Sequence, residues 1–274
     1  MTTPEPLGVL TFNLNNPSYE RAERQLAWLA TRPEHVLVLT ETVASKGCRL
    51  LAERFTAAGY SVEFDEPPPG ERGAMIVSKL PHIGPPPHDA VSYLPHRAPA
   101  ITVKTEHGTL DVIGLYVPSR DATPAKIERK RRFLDACRAA IPPGTAPAAR
   151  LILGDFNVLE PTHQPHYRFF QPFEYAFYTW LGEAGYRDAF RLLHPTADEY
   201  SWVGRTGDGY RYDHAFTSGT LGDQVAACSY VHEPRTDRLT DHSALSLQLA
   251  VTPVAPLLVS DPTTTPGPET DPLF

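Results

Sequence analysis

Apolar residues along this chain fall into two spacings. Short, nearly continuous apolar runs read as buried strands: "LGVLTF" (7–12), "HVLVLT" (35–40), "AMIVS" (74–78), "AITVKT" (100–105), "LDVIGLY" (110–116), "RLILG" (150–154), "RYDHAFT" (211–217), "QVAACSYV" (224–231) and "SALSLQLAV" (243–251), with "YSVEF" (60–64) as a weaker one. Between them the apolar residues recur at helical intervals. Ala22, Leu26 and Leu29 predict a helix to about Thr31, with Asn16 as its cap and Pro17 at its first turn. Residues 46–58 predict a second helix closed by Gly59. Thr123-Pro124 opens a third, to about Ala140, with a stripe of Ile127, Leu134, Cys137 and Ile141. A fourth covers 173–184, and Glu106-His107-Gly108 predicts a hairpin. Strands outnumber helices, and hairpins mix with crossovers. The expected fold class is therefore α/β, with two sheets packed together and helices outside.

The last stretch breaks the pattern. From Pro253 to Phe274, six of 22 residues are proline, three are acidic and none is basic. Such a segment cannot build a core, so the expected organisation is one domain over 1–252 and a disordered tail over 253–274. The proline triplets at 67–69 and 85–87 read as surface loops.

Composition narrows the field. The chain has 274 residues, 41% hydrophobic and 21% charged, with a formal net charge of -7. That argues against coating nucleic acid by bulk attraction, but not against an enzyme that acts on it. Cys48, Cys137 and Cys228 are odd in number and form no CxxC pair, which predicts reduced, buried thiols. The start lacks the character of a signal peptide, and no apolar run approaches the ~18 residues of a membrane span. The expectation is a monomeric cytoplasmic protein without membrane association.

Polar residues interrupt the strand ends. Asn13 follows "VLTF", Glu41 follows "VLVLT", Tyr116 follows "VIGL", and Asp155 and Asn157 follow "LILG". Asp213 and His214 sit inside "YRYDHAF", and Asp241 and His242 precede the last strand. Singly, each has a structural explanation: an Asx-turn, a helix cap, a buried ion pair or a core histidine. Together they place polar groups where α/β sheets bind ligands, beyond the strand ends. Glu41, Asp155 and Asp241 in one cleft would repel unless a cation sat among them. Oxygen ligands without thiols point to Mg²⁺ or Mn²⁺. Asp213 and His242 form a possible carboxylate–imidazole pair.

The ordered set "FNLNN", "LTET", "GAMIVSK", "LYVPS", "GDFNV", "YSWVG", "YRYDHAF" and "LTDHSAL" resembles the endonuclease/exonuclease/phosphatase superfamily over residues 7–250. The second half looks most like its exonuclease III and apurinic/apyrimidinic endonuclease branch. The resemblance implies a four-layer α/β sandwich of two mixed, largely antiparallel sheets and divalent-metal hydrolysis of phosphodiesters, with DNA as the substrate. Asn13, Glu41 and Asp241 match metal-side positions. Asp155 matches the group that activates water or protonates the leaving oxygen, and Asn157 the amide that orients the nucleophile; both border the metal. His242, held by Asp213, matches the histidine on the scissile phosphate, and Tyr116 the active-site phenol. Trp202, Tyr210 and Tyr212 fall where abasic-site nucleases keep a pocket for an extruded sugar, and Arg211 between the tyrosines is placed with them on the substrate side. Asn15 stands where many abasic-site enzymes carry aspartate, Ser119 replaces a common amide, and the loop from Trp202 to Asp213 is short. The rival functions are a phosphatase or phosphodiesterase of a small molecule or lipid headgroup, and a catalytically silent interaction protein.

Two further segments bear on substrate. "KIERKRRF" (126–133) is read with Lys126, Arg129, Lys130 and Arg132 opposite the apolar stripe, either as a solvated face or as a phosphate-tracking one. "HYRFFQPFEYAFYTW" (166–180) reads mostly as core, with Tyr167–Phe173 as a possible base-stacking loop.

Overall fold

A computed structural model describes residues 6–84 and 90–265. Two sheets carry the fold. The first runs in the order β12 (Val225–Val231), β13 (Ala244–Leu249), β1 (Leu7–Asn13), β2 (Val36–Thr42), β4 (Gly73–Ser78), β3 (Ser61–Glu63). The second runs β5 (Ala100–Thr105), β6 (Gly108–Tyr116), β7 (Ala149–Asp155), β11 (Asp213–Ser218), β8 (Tyr186–Asp188). Only β1–β2 and β6–β7 pair in parallel; each needs a helical crossover, and the other neighbours are antiparallel. Strands β9 (Trp202–Val203) and β10 (Gly209–Tyr210) form a separate small hairpin.

The sheets face each other across one apolar layer, which includes Val9, Val38, Ile76, Val112, Leu153, Ala215 and Leu247. Gly114 lets them approach, since a Cβ there would lie 2.8 Å from Val38. Helices α1 (Tyr19–Ala30) and α2 (Lys46–Ala57) cover the first sheet over a second apolar layer. Helices α3 (Pro124–Ala140) and α4 (Pro172–Glu183) cover the second sheet over a third. This is the expected four-layer sandwich, and it explains why strands buried on both faces read as continuous apolar runs. The short helices α5 (Ala189–Leu193) and α6 (Glu233–Thr236) fill connections. All three cysteines are buried and free. Among the described residues, no helix is long and apolar enough to cross a membrane.

Three expectations need correction. Helix α1 is capped by Ser18, whose hydroxyl accepts from the Arg21 amide; Asn15 and Asn16 instead take left-handed backbone (φ 51° and 47°), which keeps them out of the helix. Lys130 does not lie opposite the stripe of α3. Counting 127, 130, 134, 137 and 141 puts it in the stripe, and it is buried. The segment from Pro253 is not loose as far as Thr265. Val254 N donates to Lys104 O (3.1 Å), Leu257 N to Lys79 O (2.7 Å) and Ser260 N to Ala58 O (2.9 Å), while Val259 packs on the core beneath α1 and α2. Main-chain hydrogen bonds of this kind are insensitive to side-chain composition, which is why composition did not reveal them. The triplet at 85–87 and the end of the tail, 266–274, lie outside the described residues.

Candidate active site

The strand ends bring the polar residues together. Tyr116 and Asp155 are register partners across β6 and β7, and Asp155 and Asp213 across β7 and β11, so the three stand in one row. Asn13 ends β1, and Glu41 sits on β2 at a bulge between Thr40 and Thr42 with φ 56°. Backbone strain of this kind concentrates at functional sites. Gly154 makes the approach to Asp155 possible: its φ is 148°, and a Cβ there would lie 2.0 Å from Leu115 O.

Asp155 is the hub. Its Oδ1 accepts from Asn157 N (2.9 Å), and its Oδ2 accepts from Asn157 Nδ2 (3.1 Å) and Asn13 Nδ2 (3.0 Å). Asn157, at φ 48°, also donates Nδ2 to Val117 O (3.0 Å). Lys130 Nζ holds the same turn from below, bonding Asn157 O (2.5 Å) and Glu174 Oε1 (2.7 Å). Glu174 is in turn paired with Arg120, and all three of these side chains are almost fully buried. The Asp155 carboxyl titrates well above the usual carboxylate range, first because it is buried and then because Asp213 and Glu41 are close.

His242 Nδ1 lies 2.7 Å from Asp213 Oδ2. Burial disfavours the imidazolium, but Asp213, Asp155 and Asp241 outweigh it and raise the pKa. Ser201 supports this pair: its Oγ accepts from Asp213 N (3.1 Å) and Tyr212 N (3.0 Å). Across the cleft, Tyr116 donates to Glu41 Oε1 (2.9 Å), and Arg72 Nη1 lies 3.2 Å from Glu41 Oε2. Burial, followed by Glu41 and Asp155, raises the Tyr116 pKa, so the phenol stays protonated.

Trp202, Tyr210 and Tyr212 form one aromatic cluster. Tyr210 and Tyr212 stack at 5.3 Å, Trp202 packs 5.3 Å from Tyr210, and Tyr212 lies 6.5 Å from the His242 ring. Tyr167 extends the stack on Tyr210 at 4.9 Å. The indole of Trp202 donates to Asp241 Oδ2 (3.0 Å), which ties the aromatics to this carboxylate. Arg211 does not join them. Successive side chains of an extended segment point to opposite faces, and Arg211 is buried against Asp188 (2.8 Å) and Glu160 (3.0 Å). It is a structural ion-pair residue, and its placement on the substrate side is corrected. Arg72 and Ser201 are not singled out by the sequence pattern, and Lys130, read there as a cation opposite the stripe, supports the site from within the stripe.

The donor set fits a hard divalent cation in kind. Among the described residues the Asn13 amide oxygen accepts only from Asn15 N (2.7 Å), and Glu41 and Asp241 offer carboxylates. Two observations mark the negative charge as under-compensated: Asp155 is raised by burial and then by Asp213 and Glu41, and the buried Asp213 Oδ1 has no hydrogen-bond partner among the described residues. As the side chains stand, no three acidic, imidazole or thiol groups among the described residues are close enough to share one ion, and Glu41 is paired with Arg72 and Tyr116.

The model of the endonuclease/exonuclease/phosphatase family matches residues 10–242. The chain belongs to that family. Its fold is shared with the 3′ phosphatase NExo from Neisseria, solved with a product DNA hairpin (TM-score 0.74, 21% identity, 89% of this chain and 99% of that one). It is shared equally with an AP endonuclease from Archaeoglobus fulgidus (0.72, 23%, 89% and 99%) and the APE2 catalytic domain of Xenopus laevis (0.72, 18%, 91% and 93%). No curated protein matches by sequence.

Proposed function

We propose that this family member is a divalent-metal-dependent phosphodiester hydrolase of exonuclease III type, with DNA as its substrate. The observation that carries the reading is the His242–Asp213 pair at 2.7 Å beside a buried Asp155 fixed by three hydrogen bonds. A protonated imidazole beside a carboxyl of raised pKa is an acid–base arrangement suited to a phosphate. The solved structures that share the fold, a 3′ phosphatase bound to DNA and AP endonucleases, support nucleic acid as the substrate class.

His242, kept charged by Asp213, neutralises the phosphate oxygens as negative charge builds in the transition state. Asp155, oriented by Asn157 and Asn13, exchanges the proton of the attacking water or of the leaving oxygen. Tyr116 keeps its proton and fixes Glu41. Asn13, Glu41 and Asp241 would hold Mg²⁺ or Mn²⁺, bordered by Asp155 and Asn157, and the ion would supply Lewis-acid stabilisation of the phosphoryl oxygens.

The test is hydrolysis of duplex, abasic and single-stranded DNA, RNA, inositol phosphates and bis-p-nitrophenyl phosphate with Mg²⁺ or Mn²⁺ and with EDTA. The expected result is metal-dependent cleavage of DNA that EDTA abolishes. Full turnover in EDTA removes the metal from the reading. Turnover of inositol phosphates alone replaces DNA by a small-molecule phosphoester.

A further inference from the structure

One cation in the cleft has no part in the scheme above. Arg72 immediately precedes β4, where Gly73 is pressed so tightly that a Cβ would lie 2.5 Å from His96 O. That contact pins the backbone and aims Arg72 across the strand ends. Its Nη1 lies 3.2 Å from Glu41 Oε2 and 3.5 Å from Tyr116 Oη. The side chain is 41% exposed. Nε and Nη2 make no hydrogen bond to protein among the described residues, although a guanidinium carries five donors in a fork. The neighbouring arginines are committed elsewhere: Arg129 pairs with Glu71, and Arg97 lies over the Tyr116 ring at 4.7 Å and 3.6 Å from Glu71. With Glu41, Tyr116 and Asp241 as its charged and polar neighbours, the half-exposed guanidinium lies among the cleft residues and has donors to spare.

We propose that Arg72 is a specificity-determining residue that binds the non-bridging oxygens of the substrate phosphate and favours a terminal phosphomonoester over an internal diester. This rests on the functional reading above. At neutral pH a phosphomonoester carries close to two negative charges and three non-bridging oxygens, whereas a diester carries one charge and two such oxygens. His242 supplies one positive charge, and the charge of a bound divalent ion would be offset by Glu41, Asp241 and the neighbouring Asp155. A second, always-protonated cation with a planar fork is matched to the additional oxygen and the additional charge. The competing role for Arg72 is to neutralise Glu41, in which case its loss would affect every substrate alike.

The experiment compares wild type, Arg72→Ala and Arg72→Lys in Mg²⁺ on a 3′-phosphoryl duplex, an abasic duplex and bis-p-nitrophenyl phosphate. Inorganic phosphate binding is titrated by calorimetry as a readout independent of turnover. Loss of a charge-assisted hydrogen bond predicts a fall of about 10–100-fold in kcat/KM for the 3′-phosphoryl substrate in the Ala variant. The two diesters should lose several-fold less, the Lys variant should fall between, and phosphate should bind more weakly to both variants. Equal losses on all three substrates, or unchanged phosphate affinity, overturn the assignment while leaving the phosphoesterase reading intact. A wild type that turns over none of the three overturns the functional reading, and the role of Arg72 with it.

Discussion

Two buried charge clusters flank the segment 210–213, one built on Arg211 and the other on Asp213, and they are built differently. In the first, Arg211 bonds Asp188 (2.8 Å) and Glu160 (3.0 Å), and Arg191 Nε completes Glu160 (2.8 Å). Cations and carboxylates balance. Burial alone would push the Glu160 carboxyl up, but Arg191 and Arg211 outweigh it and hold it at about 2. In the second, Asp155, Asp213 and Glu41 lie among His242 and a half-exposed Arg72, and Asp155 is pushed up rather than down. Burial is common to both. The difference is how completely the charge is answered from within the chain, and the under-answered cluster is the one suited to take a cation and a phosphate.

The largest expected effect of breaking this contrast is on stability, in the balanced cluster. Arg211→Met leaves Asp188 and Glu160 buried with less compensation, and breaking a buried pair costs about 3–5 kcal/mol. The pH dependence follows in sign. A carboxylate whose folded pKa lies below its unfolded value of ~4.3 contributes stability above that value and loses it as pH falls toward about 2. The variant lacks much of that contribution, so its deficit against wild type should be widest at neutral pH and shrink between about pH 5 and 3. Urea melts across that range measure it. A raised KM with an unchanged melt would return Arg211 to the substrate side.

The next effect is on turnover, in the unbalanced cluster. His242→Ala removes charge stabilisation at the phosphate, which is typically worth ~10²–10³ in kcat. Asp213→Asn keeps the shape but changes the bond that fixes the imidazole, so it should also slow turnover. Because the two act as a unit, the double variant should be little slower than His242→Ala. Melting temperatures should move less than for Arg211→Met. Saturation kinetics on both single variants and the double measure this, and fully multiplicative losses would separate the two side chains.

The same contrast explains what could be read from the chain. Asn13, Glu41, Tyr116, Asp155 and Asp213 were visible because each interrupts an apolar run, and strand ends converge by topology. Their register, Tyr116 opposite Asp155 opposite Asp213, depends on which strands are neighbours. Arg211 was misplaced because it was grouped with Tyr210 and Tyr212 by sequence proximity, although alternation sends it to the other face. Arg72 lies beyond a Pro/Gly-rich loop with no periodicity to orient it. Ser201 acts through hydrogen bonds to two main-chain amides, Tyr212 N and Asp213 N, which no residue pattern encodes.

The smallest expected effect lies far from both clusters, in the segment that composition made look dispensable. Residues 253–265 cross from β5 to the end of α2. Thr105 and Pro253 form a bridge, Val254 and Leu257 amides find Lys104 and Lys79 carbonyls, and Ser260 closes on Ala58 O just before Gly59 ends the helix. Arg54 reaches Thr265 O, and Val259 adds a partly buried apolar contact. Individual hydrogen bonds of this kind are worth about 0.5–1.5 kcal/mol net, and ordering the backbone costs about 1–2 kcal/mol per residue, so most of the gain is cancelled. Stopping the chain after Thr252 should therefore lower the melting temperature by only about 2–4 °C per kcal/mol lost. Turnover at saturating substrate should be unchanged, because none of these contacts touches Asp155, His242 or Glu41. A truncation after Thr252 that melts like the full chain would make the docking energetically neutral. One that lost turnover without melting early would tie the segment to the site.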